Sequence, residues 1–87
     1  MLAAGTIVQG NWSSIQYKVE HAGTGTLGGW VTGRDVNNPM QTGSLSCLGE
    51  RVGDKISITD ARRPNDFLLI VSESKQMMKN NQMEFDL

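Results

Sequence analysis

The sequence predicts an all-β fold, a single small barrel or sandwich of five to seven strands. Three observations carry that expectation. Apolar and polar side chains alternate in several short runs, ten glycines punctuate the 87 residues, and Phe67-Leu68-Leu69-Ile70-Val71 forms one continuous apolar stretch. Alternation is the period of a half-buried strand. A continuous apolar run is typical of a strand covered on both faces, as at the centre of a sheet or in a closed barrel. Glycines supply the bends and bulges that a tightly curved sheet needs.

The elements follow in chain order. Thr6-Ile7-Val8-Gln9 reads as a first strand, and Gly10-Asn11-Trp12-Ser13 turns the chain. Ile15, Tyr17 and Val19 then alternate with Gln16, Lys18 and Glu20. Trp30-Val31-Thr32 is a third strand, bracketed by Gly28-Gly29 and Gly33. A loop from Asp35 to Gly43 carries turn chemistry at Asn37-Asn38-Pro39 and Thr42-Gly43, and Ser44-Leu45-Ser46-Cys47-Leu48 is a fourth strand. Gly53-Asp54 suits a tight turn. Val52, Ile56 and Ile58 are expected on one face there, with Lys55, Ser57 and Thr59 on the other. Asp60 to Asp66 is a polar connector leading to the apolar run. The expected core is Ile7, Ile15, Tyr17, Val19, Trp30, Leu45, Cys47, Val52, Ile56, Ile58, Phe67, Leu69 and Val71. The whole chain, 1–87, reads as one β domain of SH3-like or OB-like size. Residues 73–87 form a C-terminal extension: at most one short helix near 73–80, then an alternating strand, Met83-Glu84-Phe85-Asp86-Leu87.

Composition excludes several functions. Eight Lys+Arg against nine Asp+Glu leave a net charge of −1, so no general electrostatic pull toward DNA or a membrane surface exists. No window approaches the roughly 18 apolar residues of a spanning helix, and no signal-peptide pattern opens the sequence. With one cysteine, Cys47, an intrachain disulfide framework is impossible. A cytoplasmic, reducing setting is expected, with Cys47 acting as a small buried apolar side chain.

Motifs for chemistry are sparse. Gly23-Thr24-Gly25-Thr26-Leu27-Gly28 satisfies G-x-G-x-x-G, but a dinucleotide site needs a helix N-terminus after it. Strand-like Gly29-Trp30-Val31-Thr32 follows instead, so a hairpin loop is the expectation. His21, the only histidine, is expected in phase with Ile15, Tyr17 and Val19 at a strand end, without an orienting partner. One His and one Cys match no zinc spacing. Asp54, Asp60 and Asp66 read as turn formers and as partners of Arg62 and Arg63. No enzyme, cofactor or metal site is expected.

Two binding readings remain. The favoured one is a non-enzymatic binding or assembly module, homo-oligomeric because a core this small gains most from association. Its contacts would be an apolar patch and the C-terminal tail: Met77 and Met78 as adaptable apolar surface, and Met83, Phe85 and Leu87 as one face of a strand able to add to a neighbour's exposed sheet edge. The alternative is a small barrel that binds single-stranded nucleic acid, with Lys18, Arg34, Lys55, Arg62 and Arg63 on phosphates and Trp12 stacking a base. A small-molecule-binding protein or enzyme comes third. The stretch Val52-Gly53-Asp54-Lys55-Ile56-Ser57-Ile58, a turn and Phe67 to Val71 resembles a strand–turn–strand phrase of many small β-barrels, some phage head–tail joining and other virion proteins among them. The resemblance covers about 20 of the 87 residues. It implies a hairpin and names no single family.

Overall fold

A computed structural model describes residues 2–26 and 28–74. Six antiparallel strands close into one barrel: Ile7–Gly10 (β1), Gln16–Gly25 (β2), Gly28–Asp35 (β3), Thr42–Val52 (β4), Lys55–Ile58 (β5) and Phe67–Ser72 (β6). Each strand pairs with the next, and β6 returns to β1. The all-β expectation holds. No helix occurs among the described residues, and 75–80, where a short one was expected, lie outside them, as does the 83–87 strand. None of the described segments is a helix long and apolar enough to cross a membrane.

Both tight hairpins lie at one end of the barrel, here called lower. Gly25 pairs with Gly28 across the first, so the glycine-rich run forms the β2–β3 hairpin. In the second, Val52 pairs with Lys55 around Gly53-Asp54, and Gly53 takes φ +64°. Only glycine enters that region without steric cost, and the first central position of a two-residue hairpin turn calls for it. The three longer connections, 11–15, 36–41 and 59–66, all lie at the upper end.

Closure depends on bulges. An extra residue, Glu20, interrupts β2 between Val19↔Gly33 and His21↔Thr32. Strand β4 is bulged twice: Ser46-Cys47 face Trp30, and Gly49-Glu50 face Ser57. In β6, Val71 is the extra residue between the pairs to Val8 and Ile7. Each bulge bends its strand and raises the local twist, which lets six short strands form a circle. Cys47 adopts φ +63°, and its carbonyl accepts from both the amide and the hydroxyl of Thr59 (2.7 and 2.9 Å). Those bonds hold a cysteine where glycine would be expected.

The bulges also reset which residues face inward. The buried core is Leu2, Val8, Val19, Val31, Leu48, Ile56, Ile58, Leu68 and Ile70, with Tyr17, Ala22 and Leu45 packed against it. Val19, Ile56 and Ile58 are buried as expected, and Tyr17 and Leu45 lie against the core. Four expected core residues, Ile15, Trp30, Val52 and Val71, are exposed. Ile7, Cys47, Phe67 and Leu69 are half-buried, while their neighbours Val8, Leu48, Leu68 and Ile70 fill the interior. From Phe67 to Val71 every residue of β6 is apolar, so composition could not decide the phase. Pairing of Leu68 with Ile56 and of Ile70 with Val8 decides it. His21 likewise leaves the inward face, because the Glu20 bulge passes that place to Ala22.

Candidate functional site at the upper seam

The barrel wall is incomplete at its upper end. Strand β5 accompanies only the lower part of β4: Leu48 pairs with Ile58, and Thr59 makes the last contact, with Cys47. Above Cys47, residues Thr42 to Leu45 pair with Arg34 to Val31 of β3. On the opposite side this segment has no strand partner among the described residues. Every second residue of an antiparallel strand turns its N–H and C=O away from its partner. The upper part of β4 therefore presents a short open edge, with Thr42, Ser44 and Ser46 exposed.

Behind this edge lies an apolar cavity of about 270 Å³. Its lining includes Gly43 and Leu45 of β4, Trp12, Ile15 and Arg63 of the upper loops, and Tyr17 and Leu68 of the core region. Its volume falls just below the roughly 300–1,000 Å³ of typical small-molecule sites, a scale that suits a large side chain better than a cofactor. Glycines shape it. The Tyr17 ring lies so close to Gly43 that a Cβ there would come within 3.0 Å of it.

Across the seam, two loops meet in a stack. The Trp12 indole rests on Gly10, and the Arg63 guanidinium sits 4.2 Å from the ring centroid. Arg63 Nε donates to Asp66 (2.7 Å), which fixes the guanidinium over the ring. Asn11 ties the same loops together: its amide donates to the Asn65 carbonyl, and its side-chain oxygen accepts from the Phe67 N–H. These contacts join residues from opposite ends of the chain.

The nucleic-acid residues are not gathered into one surface. Only Trp12 and Arg63 touch, with Arg62 next in the chain. Lys18 and Arg34 are cross-strand neighbours on β2 and β3, and Lys55 sits over the Phe67 ring at 4.7 Å. All four arginines are ion-paired: Arg34 with Glu20, Arg51 with Glu73, Arg62 with Asp60 and Arg63 with Asp66. The side-chain hydrogen bond from Arg62 holds the Asp60 carboxyl below its ordinary range, and the same bond raises Arg62. Glu73 raises Arg51 in the same way. The tryptophans have contacts of their own: Trp12 touches Gly10 and carries Arg63 on its ring, and Trp30 covers Gly23, its partner across β2–β3.

No family model matches this chain, and no curated protein or solved structure is significantly similar to it.

Among the described residues, no three of His, Cys, Asp and Glu lie close enough to hold a metal ion. His21 is exposed on β2. The tail residues Met77, Met78, Met83, Phe85 and Leu87 lie outside the described residues. Sequence reasoning missed the rim beside the seam. Trp12 and Ile15 in one upper loop, and Val36 and Met40 in the next, are all exposed, Met40 at 89%. The Val36 amide donates to the Gln16 carbonyl, which draws the two loops together. Apolar Val36 and Met40 flanking Asn37-Asn38-Pro39 in a turn-forming loop are the legible signal.

Proposed function

We propose that this chain is a non-enzymatic binding and assembly module that self-associates through the apolar upper rim, with its C-terminal tail as a further contact. One observation carries this reading: four of the seven large apolar side chains exposed among the described residues, Trp12, Ile15, Val36 and Met40, belong to two adjoining upper loops, and the first of these loops lines an open apolar cavity. Scattered exposed apolar residues are ordinary, whereas a concentration beside a cavity marks a surface that associates. A barrel of this size also gains proportionally more from burying further apolar area than a large domain does. The lone Cys47 fits a reducing, cytoplasmic setting.

The single-strand nucleic-acid reading has less support, because its arginines already have carboxylate partners and Trp12 already carries Arg63 on its ring. Sedimentation over a wide concentration range tests the favoured reading. The weight-average mass should rise with concentration, and Ile15→Asp with Met40→Asp should lower it without changing the melting temperature by more than a few degrees. A wild-type chain that stays monomeric throughout overturns the reading.

A further inference from the structure

Building on the assembly reading, we propose that the open β4 edge is an acceptor site for residues 83–87 of a second copy, which add to it as a strand with Phe85 in the cavity. Three observations meet here. Among the described residues, the edge from Thr42 to Ser46 has no second strand partner, and an apolar cavity lined by Gly43 and Leu45 adjoins it. Strand addition needs both features: backbone groups for affinity and a pocket for alternate side chains. The segment Met83-Glu84-Phe85-Asp86-Leu87 supplies the complement, three apolar residues on one face and two acids on the other.

The chemistry of the two sides agrees. An inward Phe85 reaches a cavity whose walls include Gly43, the one edge position without a side chain, and Tyr17, whose ring can pack against another aromatic. Glu84 and Asp86 then face outward, away from the apolar cavity.

The donor segment leaves one end of the barrel and the acceptor lies at the other. At the lower end of the barrel, the Ser74 amide donates to Thr6 Oγ1, whereas the seam opens at the upper end. The apolar rim adjoining the seam would stay bare if the strand came from the same chain, and it is covered when a second copy sits over it. The eight residues 75–82 can span up to about 28 Å, ample for such a seating. Donor and acceptor surfaces differ, so reciprocal exchange of the tails closes a two-fold dimer, whereas one-way addition builds rings or filaments.

Complementation between two full-length variants tests this. Phe85→Ser removes the donor anchor. Ser44→Glu with Ser46→Glu, at exposed positions, places like charge beside the incoming Glu84 and Asp86 while leaving the core intact; a melting curve verifies the fold. Each variant alone should sediment as a monomer at concentrations where wild type associates, and an equimolar mixture should give a 1:1 heterodimer and nothing larger. If wild type associates but Phe85→Ser associates equally well, the tail is not the donor, and the assembly reading survives through the rim alone. If the mixture stays monomeric, the edge and tail do not meet. If wild type is monomeric at every concentration, the assembly reading fails together with this one. Amide exchange supplies a second measurement: protection within Thr42–Ser46 should rise with wild-type concentration and stay flat in Phe85→Ser. Equal protection in the two chains overturns the proposal.

Discussion

Gly10→Ala offers a sharp view of how the upper end is held. Gly10 is buried, and a Cβ added there would stand 2.5–2.6 Å from three atoms of the Trp12 indole. Ordinary contacts begin near 3.4 Å, so the ring must retreat by roughly 1 Å, away from Gly10 and against Arg63. That displacement costs the cation–π contact, about 0.5–1 kcal/mol at an exposed site, together with part of the ring's packing. Opposing it, Gly→Ala at a position free of positive φ stabilises by about 0.4–1 kcal/mol through the unfolded chain. Overpacking of this kind adds about 1–3 kcal/mol, so a net loss of about 1–2 kcal/mol is expected in the wild-type background. In Trp12→Ala the obstruction is gone, and Gly10→Ala should be neutral or stabilising. Urea unfolding of the four chains of this cycle measures the coupling, expected at about 1–3 kcal/mol. In thermal melts each kcal/mol appears as about 4–8 °C for a domain this size. If Gly10→Ala costs the same with and without Trp12, the indole is not seated on Gly10 and the stack across the seam is wrongly placed.

Other perturbations probe the remaining features. In β6, Leu68→Ala and Ile70→Ala should each cost about 2–5 kcal/mol by chemical denaturation, as buried truncations do; Val71→Ala, 45% exposed, should cost less than about 1 kcal/mol, and the reverse order would mean that the other face points inward. Gly53→Ala, forced to φ +64°, should lose about 1–2 kcal/mol, whereas Gly25→Ala, with nothing within 4 Å of its Cβ, should stay within about 0.5 kcal/mol. Arg62 depresses the folded-state pKa of Asp60. Its contribution to stability is therefore present above the ordinary carboxylate range and disappears as pH falls through the folded value. The melting-temperature gap between wild type and Asp60→Asn should accordingly close in acid, and a gap that widens there would reverse the assignment.

Much of the local structure was legible because it follows from nearest neighbours. Alternation at Ile15–Glu20 and at Lys55–Thr59 marked β2 and β5, and Gly53-Asp54 marked a hairpin that only glycine opens readily. Pairing of Asp60 and Asp66 with Arg62 and Arg63 was likewise readable, since all four lie within one loop. The phase of burial was less legible. Where a strand alternates strictly, as in β5, the sequence states which face is apolar. Where both faces are apolar, as in β6, or where a bulge shifts the phase, as at Glu20 and at Ser46-Cys47, the pattern misleads. The candidate site shared that fate. Trp12 and Arg63 were singled out as separate nucleic-acid contacts, and folding brings them together as a structural stack.

The amino-acid order alone established an all-β chain with strands near their observed places and a nearly balanced charge. Those properties depend on composition and on spacing within a few residues, which any conformation of the chain retains. Only the tertiary structure decided which face of each strand is inside, where β5 ends relative to β4, and that an open edge with an apolar cavity results. Those are consequences of long-range pairing: a bulge exists only relative to a partner strand, and a gap in a barrel wall only relative to the strands that close the rest of it.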